Sequence, residues 1–127
     1  MSKAKYVDGF IIPVPKKNIA RYKKMATFGA KMWMKHGALD YKECVIEDAK
    51  PKMAKTFFPQ IAGAKSGDMV IFAYITFKSR KHRDQVNAKV MKDPAMNDPK
   101  NMDMVMPFDM NKMAYAGFEV LVDGQSK

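Results

Sequence analysis

The stretch Gly67 to Pro94, GDMVIFAYITFKSRKHRDQVNAKVMKDP, limits the possible folds more than any other part of the chain. It opens with a turn and runs through nine largely apolar residues, Met69 to Phe77, rich in β-branched and aromatic side chains. That composition, bounded by turn formers, predicts a strand. Ser79 then stands where a helix N-cap belongs, and the basic segment behind it stops at Asp93-Pro94. A serine cap and a terminal proline bracket a helix from about Ser79 to Met91. Within it His82, Val86 and Val90 recur at spacing four, so His82 is expected to lean toward the sheet.

A similar unit precedes it. Tyr6 to Val14 reads as a first strand, with Tyr6, Asp8, Phe10 and Ile12 on one face and Val7, Gly9 and Ile11 on the other. Asp8 is the odd member, a carboxylate sharing its face with two aromatics. Pro13 and Pro15 end the strand, and Asn18 is the expected N-cap of a helix over Ile19 to Lys35. Tyr22, Met25, Ala26, Gly29, Met32 and Trp33 give that helix one apolar stripe. His36-Gly37 closes it, a potential cation in the last turn before a C-terminal glycine.

Leu39 to Glu47 is a second strand of mixed polarity. Asp48 to Ser66 is an ordered loop expected to dock its two aromatics, Phe57 and Phe58. Asp93 to Met110 is irregular, because Pro94, Pro99 and Pro107 prevent a long helix. Lys112 to Asp123 is the fourth strand, followed by a short polar tail.

The order β-α-β-β-α-β predicts an α+β fold of the ferredoxin-like kind, a four-stranded antiparallel sheet with two helices on one face. The strand in the central stretch is apolar on both parities, Val70, Phe72 and Tyr74 against Ile71, Ala73 and Ile75. Such a strand is covered on both sides. Helices cover one, so the other is expected to meet a second copy, giving a homodimer through the sheet face.

Composition narrows the class. At 127 residues, 47% hydrophobic and 28% charged, the chain reads as one globular domain. Its longest apolar run falls well short of the roughly 20 residues that span a bilayer. No basic, apolar leader opens it, so a cytoplasmic protein is expected. The single cysteine, Cys44, excludes an internal disulfide or a multi-cysteine metal site, and its strand setting suggests a small buried hydrophobe. Two histidines rule out a three-histidine zinc site, and no spacing calls for a metal or a cofactor. The net charge of +10 favours an anionic partner such as RNA. However, the lysines and arginines are spread along the chain, so nucleic-acid binding is the alternative rather than the leading reading.

Four motifs carry a resemblance: YVDGFIIPVPKKN at 6–18, HGALDYKECV at 36–45, KSRKHRDQVNAKVMKDP at 78–94 and MPFDMNKMAYAGFEVLVD at 106–123. With them the chain resembles the YbaA-like bacterial family of unknown function over nearly its whole length. The resemblance implies a dimeric α+β barrel, two ferredoxin-like sheets packed face to face. The wider superfamily includes small monooxygenases, haem-handling proteins and stress-response barrels, often with a pocket between sheet and helices. It implies no activity for this chain.

The residues that this fold can bring together are Asp8, Glu43, His82 and Asn87, with Trp33 and His36 at the end of the first helix. A carboxylate in an apolar pocket has a raised pKa and a neighbouring histidine shares its proton work, which makes Asp8 and His82 the candidate catalytic pair. Phe10, Trp33, Phe72 and Tyr74 are the expected pocket walls, with His36, Glu43 and Asn87 as further ligand contacts. The structural alternative pairs Asp8 with a cation, while Ser79, His82, Arg83 and Asp84 form a hydrogen-bond network at the helix start. The leading functional expectation is a small, partly apolar ligand held between sheet and helices, with cofactor-independent, monooxygenase-like or isomerase-like chemistry. A structural or stress-linked protein without ligand is the third reading.

Overall fold

The computed structural model describes residues 4–101 and 105–125. Met1 to Lys3, positions 102–104 of the expected irregular segment and positions 126–127 of the polar tail lie outside them. The elements are β1 (Tyr6–Pro15), α1 (Ile19–Lys35), β2 (Asp40–Val45), α2 (Phe58–Ala62), β3 (Asp68–Phe77), α3 (Arg80–Lys92) and β4 (Ala114–Glu119). The four strands form one sheet in the order β2-β3-β1-β4, every neighbouring pair antiparallel. The fold is thus α+β with a four-stranded antiparallel sheet. Among the described residues no helix is long and apolar enough to cross a membrane.

Register follows from alternation. One face carries the rows Tyr41–Ile75–Asp8–Gly117 and Glu43–Ala73–Phe10–Tyr115. Helices α1 and α3 pack here, and Tyr6, Ile12, Ile75, Phe77, Val86 and Val90 are buried. On the opposite face the rows run Lys42–Tyr74–Gly9–Ala116 and Cys44–Phe72–Ile11–Ala114. Most of that face lies open, with Phe72 44% and Phe118 55% exposed.

Three local expectations are refined or corrected. Asn18 holds the N-cap position of α1 but makes no side-chain capping bond; its amide donates instead to the Pro107 carbonyl at 3.0 Å and ties the helix start to a distant loop. Cys44 is exposed, because its strand parity puts it on the open face. The 48–66 segment contains the short helix α2, closed by Gly63 at φ 66°. That segment docks its aromatics, with Phe58 meeting Phe72 edge-on at 6.2 Å. Val70 beside them is left only 2% exposed.

The histidine-glycine stop of α1 holds. His36 is the C-cap, and Gly37 adopts φ 112°, a region open to glycine. The His36 Nε2 lies 2.8 Å and Lys35 Nζ 2.9 Å from Asp93, which also accepts from the Ala95 N–H. This latch joins the ends of α1 and α3. Lys35 first, then the Ala95 amide and His36, hold the Asp93 carboxyl well below its ordinary value of 3.8. A depressed carboxylate contributes stability that is fully present above 3.8 and lost as pH falls toward the lower folded value. Asp93→Asn is therefore expected to flatten the loss of stability at acid pH, measured as the urea midpoint against pH below about 4. An unchanged acid limb would remove the latch from the account.

Candidate functional site

The row Glu43–Ala73–Phe10–Tyr115 explains where space is left. Ala73 places a methyl group between two large neighbours, Ala26 of α1 packs in the same cluster, and Gly29 one turn on leaves room beside the Tyr41 hydroxyl. Small residues on both layers leave a gap that neither helix nor sheet can fill. One lobe of about 150 Å³ is bounded by Phe10, Tyr22, Trp33, Ala73 and Phe108. A second, of about 260 Å³, is bounded by Phe28, Gly29, Met96 and Met106. Met25, Trp33, Tyr41 and Glu43 line both. Singly each lobe is smaller than ordinary small-ligand sites, which start at roughly 300 Å³, and only the two together reach that size.

Glu43 is the polar centre of this wall. The Tyr22 hydroxyl donates to its Oε1 at 2.6 Å, and the Tyr41 hydroxyl to its Oε2 at 2.7 Å. Tyr41 and Glu43 are two apart on β2 and so share a face, while Tyr22 comes from the apolar stripe of α1. Burial first, then the adjacent carboxylate, raises both phenols far above their usual range, so they remain donors at any working pH. Trp33 stands beside Tyr41 with ring centroids 6.4 Å apart, and its Nε1–H donates to Asn87 Oδ1 at 2.9 Å. Asn87 therefore orients the indole from α3.

Asp8 and His82 sit elsewhere. Asp8 is 1% exposed, and its carboxylate takes Arg83 Nη1 at 2.7 Å. The same nitrogen donates to the Tyr115 hydroxyl at 2.7 Å, and Arg83 Nε to Asp84 at 2.8 Å. The guanidinium lies 5.1 Å above the Tyr6 ring. That ring can lie flat across β4 only because Gly117 has no side chain, since a Cβ there would come within 2.8 Å of the ring carbon. Burial raises the Asp8 carboxyl above its ordinary value, with Arg83 opposing. His82 packs edge-on against Phe77 at 5.9 Å, and its Nδ1 accepts the Lys78 N–H at 2.9 Å. Its own N–H donates to Ser79 Oγ at 3.0 Å. Desolvation, with Lys78 nearby, lowers the imidazole pKa and keeps it neutral near pH 7.

Of the residues singled out from sequence, the fold gathers Phe10, Trp33 and Glu43 on the cavity wall, while Asn87 acts only through its bond to Trp33. Asp8 and His82 line neither lobe. Phe72 and Tyr74 are on the opposite face of the sheet, by strand parity, and cannot wall this cavity. His36 is engaged in the Asp93 latch. Tyr22 and Tyr41 were not singled out. The tyrosine two residues before Glu43 on one strand was the available signal. Among the described residues no group of three or more histidines, cysteines and carboxylates is placed to hold a metal.

Residues 5–110 match a family described as a protein of unknown function, DUF1428. The uncharacterized protein YbaA of Escherichia coli strain K12 is 38% identical over 119 residues, 94% of this chain and 98% of that one. The YbaA protein of Shigella flexneri matches to the same extent. A solved structure from Burkholderia cenocepacia, named as a candidate amidohydrolase/peptidase, aligns with TM-score 0.30 and 9% identity. The alignment covers 91% of this chain but only 27% of that one, and so slight a likeness carries no argument.

Proposed function

The chain belongs to the DUF1428 family, whose description assigns no activity, and from its own residues we propose that it binds a small, partly apolar molecule in the cavity between α1 and the sheet. One observation carries this reading. Glu43 has both oxygens fixed by phenol donors on the wall of an otherwise aromatic and thioether-lined space. A carboxylate with nothing to do is normally turned to solvent, since burial of a charge costs several kcal/mol. Holding it at the cavity wall with two tyrosines is the arrangement of a ligand contact. Should a reaction follow binding, Glu43 is the group in position to move a proton, which fits cofactor-independent, isomerase-like or monooxygenase-like chemistry.

The sheet order β2-β3-β1-β4 with two long helices on one face supports the ferredoxin-like reading. The open face supports a homodimer, in the manner of a dimeric α+β barrel. Its rows are almost wholly apolar, and the lysine on it, Lys42, is paired with Asp40 at 2.8 Å. A nearly uncharged patch is complementary to itself and suits a two-fold contact. Stacking RNA bases on this face would need cations beside Phe72 and Phe118. The rows supply only the paired Lys42, so a second copy is the better occupant.

The cavity is tested with 2-phenylethanol, read by the emission of Trp33, the chain's one tryptophan. Saturable binding is expected, and Gly29→Leu, which adds bulk to the wall of the larger lobe and crowds the Tyr41 hydroxyl at 3.1 Å, should weaken it at least about tenfold. Equal binding by that variant, with its fold intact by circular dichroism, would refute the assignment.

A further inference from the structure

The ring donors of this cavity are all given to protein partners. Trp33 Nε1–H is given to Asn87, and the Tyr22 and Tyr41 hydroxyls are given to Glu43. Asn101, at the rim, donates to the Ala95 carbonyl at 3.1 Å. The rest of the lining is mostly apolar, aromatic and thioether, with Glu43 as its one ionisable carboxylate. A carboxylate has about four acceptor positions, and the two phenols occupy two. Moreover, Glu43 takes part in none of the ion pairs among the described residues. Its charge is hydrogen-bonded but not neutralised.

From this we infer that the ligand is an organic cation, a small protonated amine with an apolar body. The ammonium would donate to the free Glu43 positions and lie against the Trp33 and Tyr41 faces, where an aromatic quadrupole attracts positive charge. The apolar body would fill the space left by Ala73 and Gly29. An anionic ligand would be repelled by the Glu43 carboxylate and find at most the second Asn101 amide hydrogen in place of its hydration. The net charge of +10 opposes a cation at long range, but exposed charges are screened beyond about 8 Å at physiological salt, whereas Glu43 is in contact. The inference rests on the cavity reading above and adds the sign of the ligand.

Three probes of nearly one shape separate the two: 2-phenylethylammonium, 2-phenylethanol and phenylacetate, each titrated against the native protein with Trp33 emission as readout. The ammonium is expected to bind at least about tenfold more tightly than the alcohol, and phenylacetate least well. Glu43→Gln should remove the preference for the ammonium while leaving the alcohol nearly unchanged, because glutamine still accepts a hydrogen bond but carries no charge. Tyr41→Phe, a second variant that keeps the carboxylate, should retain the preference. If alcohol and ammonium bind equally, or phenylacetate binds best, the cation assignment falls and the cavity stands. If none of the three binds, both fall.

Discussion

Arg83→Met is expected to cost about 3–5 kcal/mol of folding stability, the range for removing one partner of a buried ion pair. Asp8 is 1% exposed and faces Arg83 at 2.7 Å, with Arg83 itself only 12% exposed. Without the guanidinium, a carboxylate remains under the helices with no cation beside it. The loss should have a characteristic pH dependence. Burial already raises the Asp8 carboxyl above 3.8, and removal of Arg83 raises it further. A raised carboxyl favours the folded state when protonated, so the variant's deficit should shrink as pH falls through the folded value. Adding Asp8→Asn should recover most of the loss at neutral pH. Urea midpoints at one protein concentration measure all three effects. A deficit under about 1 kcal/mol, or one independent of pH, would mean that the pair is not buried as described.

Phe72→Glu is expected to weaken self-association at least about hundredfold, because it sets like charges opposite each other in an apolar contact. Phe72 stands in the row Cys44–Phe72–Ile11–Ala114, near the middle of the open face. In the single chain it is 44% exposed, so the change should cost the protomer itself little. Sedimentation velocity should show dimers for the natural protein and monomers for the variant. A natural protein that is monomeric at all concentrations would end the dimer reading.

The strands and long helices were legible because their signals are local. Period-two and period-four patterns, the Ser79 cap and the His36-Gly37 stop each act within a few residues, and one four-stranded antiparallel sheet followed from them. The two alternatives for Asp8 and His82 also came from sequence, and the geometry favours the structural one: an ion pair for Asp8 and a helix-start network for His82. The cavity was harder to read. Trp33, Phe10 and Glu43 were candidates, but Phe72 and Tyr74 were assigned to the wrong side of the sheet. A strand apolar on both parities gives no sign of which parity faces the helices. The small residues that create the space, Ala73 and Gly29, carry no chemistry and so attract no notice in a sequence. Asn18 shows the same limit, since a partner 89 positions away competed with the local cap. Cys44 was misjudged because its strand parity puts it on the open face of the sheet rather than under the helices.

The most direct test of the central claim is a crystal structure with 2-(4-bromophenyl)ethanol bound, located by the anomalous signal of bromine. The account expects bromine between α1 and the sheet, against Trp33 and Met25, with the hydroxyl at Glu43. An empty cavity beside a fully occupied bromine site on the open sheet face would contradict it.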